Sequence, residues 1–237
     1  FALSQIWVVS AKNTGEDFNS HGPHVQWHGL LNEHALGNYR ELMEAATKSP
    51  MMGDFLDMAC SRDPGSDGIA NENYARELLQ LFTLGIHERN MDGTFERDAN
   101  GDRIPIYNGQ QVQAFARAFT GWGYSASEEG RDNGKQDQFC IYNNDYASYK
   151  EPMRAGFPNQ HASGTKELLN GERLPAGQTA EQDLDDALDN IFNHPNIAPF
   201  VSEQLIQHLV MSNPSPEYVR DVARTFAGPG DNERGDM

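Results

Sequence analysis

Asn71-Glu72-Asn73-Tyr74-Ala75-Arg76-Glu77-Leu78-Leu79-Gln80-Leu81-Phe82-Thr83-Leu84-Gly85 is the stretch that decides the fold. Tyr74, Leu78, Leu81 and Phe82 recur at i, i+4, i+7 and i+8, the spacing that gathers apolar side chains on one face of an α-helix. Asn71 or Asn73 can cap its start, and Gly85 can end it in the left-handed conformation that other residues resist.

Upstream, the period stays helical. Trp27, Leu30, Leu31 and His34 recur between Val25 and Ser61, Gly37 interrupts, Asn38 can cap a segment running through Thr47, and Pro50 restarts a short helix carrying Met52, Phe55 and Leu56. Arg62 to Gly68 reads as a loop. Downstream the period changes, because Thr94–Asp98 and Arg103–Tyr107 flank Asn100-Gly101, a pair that tolerates the positive φ of a tight hairpin turn. Asn108 caps the next helix, with Val112, Phe115, Ala116 and Phe119 as its apolar stripe.

Ser125 to Gly164 is polar and aperiodic but carries Phe139, Tyr142, Tyr146, Tyr149 and Phe157, which predicts a long ordered loop lying against the body. Three more helices follow. Thr179 caps one with Leu184, Ala187, Leu188, Ile191 and Phe192 inward. A second turns Ile197, Phe200, Val201, Leu205 and Leu209 inward, and Ser215-Pro216 opens a third with Val219, Val222 and Phe226. The expected fold is mainly α: a multi-helix single domain over residues 1–237, with one β-hairpin insertion and a long ordered loop. The apolar opening from Phe1 and the polar close at Met237 read as cut ends of a larger protein.

Eighteen basic residues against 35 acidic ones give a net charge of −17. Phosphate backbones and anionic lipids are repelled by such a surface, which argues against a nucleic-acid partner. No apolar run approaches the roughly 18 residues of a membrane span. Cys60 and Cys140 are too few for a disulfide scaffold, and the expectation is that they are unpaired.

Charged chemistry concentrates in two places. Glu72 and Arg76 are i,i+4 partners on the deciding helix, and Glu77 stands beside them. Glu77 can serve as general base and Arg76 as an anion holder, or the group can tie neighbouring helices together. On the second reading the cluster is partly buried, and Arg76→Ala is expected to cost on the order of 3 kcal/mol. The other place is His161-Ala-Ser-Gly-Thr-Lys166, where an exposed His161 and Lys166 can do acid/base or anion-binding work, or His161 can simply hold the loop. His24 and His28 are also four apart, but no carboxylate stands at a recognised metal-binding spacing, so a metal is left open. No phosphate loop, nucleophile elbow or paired-Cys motif names a cofactor.

The Asn71–Gly85 stretch, together with Tyr107–Trp122 ending Ala-Arg-Ala-Phe-Thr-Gly-Trp, resembles the large bacterial family called domain of unknown function 1800. Similarity extends to Phe1–Ile6, Ala35–Arg40, Ile104–Tyr107, His161 with Gly164 and Lys166, His194-Pro195 and Gln204-Leu205-Ile206. The resemblance implies a longer, exported protein and names no reaction. It includes Glu72, Arg76, Glu77, Arg117, His161 and Lys166 in the shared pattern, but not histidine at positions 24 and 28. Two functions follow: an exported protein with an acid/base site of hydrolase or lyase type, where Glu77 is base and Arg76 and Lys166 hold an anion, or a non-catalytic binding or surface-assembly protein. The partner, small molecule or protein, is not named by the sequence.

Overall fold

The computed structural model describes residues 1–10, 21–65, 68–125, 149–155, 158–228 and 233–237. Its helices are α1 (Ala2–Ile6), α2 (His21–Glu33), α3 (Tyr39–Thr47), α4 (Pro50–Phe55), α5 (Asn73–Glu77), α6 (Gly109–Ala118), α7 (Ala180–Phe192), α8 (Ile197–Leu209) and α9 (Pro216–Phe226). Helix far exceeds strand, as the periodicity predicts.

Local capping explains most of the boundaries. The Asn38 side chain accepts from the Arg40 amide at the start of α3. Asn108 and Gln111 form a reciprocal capping box on α6, and Thr179 and Gln182 form another on α7. Ser215 accepts from the Tyr218 amide to open α9.

The deciding helix departs from the expected geometry. After Glu77 it continues as a π-helix over Leu78–Thr83, so each turn holds an extra residue and the apolar stripe changes phase. Tyr74, Leu78 and Phe82 stay buried, whereas Leu81 rotates outward to 43% exposure. The cap also differs: Glu72 holds the N-cap position without a side-chain cap bond, while Asn71 Oδ1 accepts from the Asn73 amide. On α8, Leu209 is likewise exposed rather than inward, lying at the last residue of the helix.

One contiguous apolar core runs from Leu3 to Phe226. At its centre Trp7 stacks on Phe82 with ring centroids 4.6 Å apart. Trp7 Nε1 donates to Tyr39 Oη, which donates to the Phe82 carbonyl at 2.6 Å, so the buried polar tips are satisfied. Helices α8 and α9 pack side by side, α5 lies on α6, and α7 is covered by α3 and α6.

The hairpin forms with Gly101 at φ +89°, and it gains a third strand that the sequence reading lacked. The Glu88 amide donates to the Ile104 carbonyl, Ile104 to Glu96, and Glu96 back to Glu88, closing a ring of backbone hydrogen bonds among three extended segments. Arg89 fastens this cap to α8 through an ion pair with Glu203. Buried Asn196 helps, accepting from the Arg89 amide at 2.6 Å and donating to the Leu84 carbonyl at 2.7 Å.

Two further antiparallel pairs occur: β1 (Trp122–Gly123) with β2 (Arg154–Ala155), and β3 (Lys166–Glu167) with β4 (Arg173–Leu174). The pairing of β2 fixes the described part of the long loop, and Met153 plugs against Gly53. Phe139, Tyr142, Tyr146 and Phe157 lie outside the described residues. Among the described residues no helix is long and apolar enough to cross a membrane. Cys60 is disulfide-bonded, which corrects the expectation of a free thiol; Cys140 lies outside the described residues. The correction has a simple origin, since spacing in sequence carries no distance information for two cysteines eighty positions apart.

Candidate functional site

The two charged stretches singled out in the sequence both meet α6, which reaches each through its own side chains. Gln113 clamps the segment entering α5: its Oε1 accepts from the Ala70 amide and its Nε2 donates to the Ala70 carbonyl and to Glu72. Glu72 also pairs with Arg76. Arg117 donates through Nη2 to the Gly68 carbonyl at 3.0 Å. Gln111 donates to the Leu168 carbonyl beside β3.

Glu72 and Glu77 are half-buried, but the Arg76 side chain is 45% exposed, so the pair is more open to solvent than the partly buried cluster expected. Partial burial raises the Glu77 carboxyl pKa, with the neighbouring Arg76 opposing the shift. Among the described residues Glu77 has no hydrogen-bond partner.

His161 and Lys166 are buried, which corrects their expected exposure. They converge on Asp183, a fully buried residue in the first turn of α7. His161 Nε2 lies 2.9 Å from Asp183 Oδ2, and Lys166 Nζ pairs with the same oxygen. The ammonium also donates to the Ala162 carbonyl at 2.6 Å and the Gly164 carbonyl at 3.0 Å, which uses its three donors. His161 Nδ1 lies 2.9 Å from the Thr120 carbonyl. Both ring nitrogens therefore face oxygens of buried partners. Asp183 Oδ1 has no hydrogen-bond partner among the described residues.

Thr120 Oγ1 stands 3.3 Å from His161 Nδ1, so a hydroxyl, an imidazole and a carboxylate lie in sequence. The order resembles a nucleophile triad, but the chemistry does not follow. Thr120 is fully buried; its hydroxyl donates to the Arg117 carbonyl and accepts from the Ala162 amide. An acyl group has no approach to it, and its proton is already committed.

Asp183 and Thr120 were not found from sequence. A signal for Asp183 existed: it precedes Leu184 and stands four residues before Ala187, an acid on the apolar stripe of an amphipathic helix.

Two cavities flank the network. His161 borders one of about 440 Å3 with Ser163, Gln178 and Thr179. Lys166 borders another of about 310 Å3 with Gln110 and Arg117. Neither is lined by Glu72, Arg76 or Glu77. Burial lowers the His24 pKa, and His28 and His21 lower it further by charge repulsion. Among the described residues no three His, Cys, Asp or Glu side chains are placed to hold a metal.

These features define a class: a mainly helical protein with a three-stranded cap, organised about a buried His–Asp–Lys ion cluster. The chain belongs to the family described as protein of unknown function (DUF1800), whose model matches residues 1–234. No curated protein and no solved structure matches it.

Proposed function

We propose that the chain is an exported, non-catalytic binding protein, in which His161, Asp183 and Lys166 fasten the loop to α7. The observation that carries this reading is the saturation of Lys166: an ammonium with three acceptors on it has no donor left for a ligand. The Cys60 disulfide supports export, because such bonds persist in oxidising compartments. A net charge of −17 supports the absence of a nucleic-acid partner. The single contiguous core supports one domain over residues 1–237.

A second reading keeps Glu72, Arg76 and Glu77 as an acid/base site of hydrolase or lyase type. It is favoured by the raised pKa of Glu77 and its lack of a hydrogen-bond partner. Incubation of the protein with chromogenic esters, glycosides and phosphoesters separates the two, using Glu77→Gln as the comparison. Binding function expects no turnover above buffer from either form. Turnover by the parent that disappears in Glu77→Gln overturns it in favour of the enzyme.

A further inference from the structure

We propose that the 310 Å3 cavity between α6 and β3 binds a small carboxylate-bearing polyol of the uronic-acid class, with Arg117 as its anion anchor. The inference rests on the reading of the chain as a binding protein. Eight of the nine residues lining the cavity are polar, Ala114 being the exception. Such a lining offers little to an apolar ligand and suits one rich in hydroxyls.

The charges select further. Lys166 lines the cavity but is neutralised by Asp183, and Glu167 is held by Arg173, whose Nε and Nη2 both donate to its Oε2. Arg117 is different. It is half-buried, and among the described residues its one side-chain hydrogen bond goes to the Gly68 carbonyl through Nη2 and no carboxylate lies within ion-pair distance. Nε and Nη1 therefore remain as donors, in a chain whose acids outnumber its bases almost two to one. A guanidinium with two free donors in a recess matches a carboxylate in shape and charge.

Around it the free groups are mostly donors or are able to donate. The Gln110 amide and the Thr165 hydroxyl have no partner among the described residues, and Asn108 uses only its Oδ1, leaving the Nδ2 donors. Glu167 Oε1 supplies an acceptor for a ligand hydroxyl. Carboxylate on Arg117 with neighbouring hydroxyls on Gln110, Thr165 and Glu167 fills the set. A polyanion would be repelled by a chain of net charge −17, so the ligand carries a single negative charge.

Titration calorimetry with D-glucuronate tests this, beside D-glucose and acetate and against Arg117→Gln and Gln110→Ala. Glucuronate is expected to bind saturably, and Arg117→Gln to weaken it roughly tenfold or more, as expected for loss of a charge-assisted pair. Glucose and acetate, each lacking half of the matching chemistry, should bind at least as poorly as glucuronate does to that variant. Arg117 also anchors the Gly68 loop, so Gln110→Ala, on an exposed side chain without partners among the described residues, provides a variant expected to leave folding intact and to weaken glucuronate several-fold. Absence of saturable glucuronate binding, equal binding of acetate, or unchanged affinity in both variants overturns the proposal. Proton NMR of the sugar after incubation keeps the two readings apart: glucuronate that binds and is chemically altered sinks the non-catalytic reading while the site stands.

Discussion

His161 Nε2 and Asp183 Oδ2 lie 2.9 Å apart in a region where Asp183 has no exposed surface. Twenty-two residues separate them in sequence. The contact, with Lys166 on the same oxygen, joins the segment after the long loop to the first turn of α7. A carboxylate at low dielectric is tolerated here because the Lys166 ammonium, the His161 ring and the positive end of the helix face it.

Asp183→Asn should therefore be costly. It leaves Lys166 buried without a counter-ion, and breaking a buried pair from one side costs about 3–5 kcal/mol. Thermal denaturation beside the parent checks this. A melting temperature unchanged within a degree would show that the cluster does not hold the loop.

Gly121 approaches the same cluster from the other side. Its φ is +86°, and a Cβ built there would stand 2.9 Å from His161 Cβ and 3.2 Å from His161 Cα. Alanine at 121 combines a disfavoured backbone with a clash against main chain that has no freedom to move. Gly121→Ala is expected to lose roughly 1–3 kcal/mol in urea denaturation. Gly101→Ala has a similar φ with open space around it and should lose less.

Acid should weaken the fold through His194. Burial, and secondarily the nearby Arg234, push its pKa down to about 4 from an ordinary 6.5. Between those values the unfolded chain binds more protons than the folded one. The contribution is fully present above about pH 6.5 and is lost as pH falls toward 4, at a slope approaching roughly 1.4 kcal/mol per pH unit. Urea midpoints measured from pH 7 to pH 4.5 should fall more steeply for the parent than for His194→Gln. Parallel profiles would rule out His194 as a source.

Arg76→Ala is expected to be mild. The sequence alone suggests a loss near 3 kcal/mol for a partly buried ion cluster. With the Arg76 side chain 45% exposed, screening by solvent leaves less than about 1 kcal/mol. Chemical denaturation of this variant decides between the two, and a loss above 2 kcal/mol would mean that Arg76 has a partner beyond Glu72.

The sequence by itself determined what depends on neighbours along the chain. Asn38, Asn108, Thr179 and Ser215 satisfy amides two or three residues away, so helix starts were legible. The turn at Asn100-Gly101 was legible for the same reason, since it needs only local φ freedom. Family membership rested on ordered short motifs and needed no geometry. Tertiary structure decided what depends on residues far apart. The switch to a π-helix after Glu77 shifts the phase of a stripe that the 3.6 period reads correctly for Tyr74, Leu78 and Phe82, and so turns Leu81 outward. Exposure of Arg76 and burial of Lys166 followed from packing that no spacing rule encodes. Asp183 was invisible as a partner because a carboxylate in the first turn of a helix is already explained by the helix dipole. Only the chain's return past Thr120 brings His161 and Lys166 to it and makes it the centre of the network.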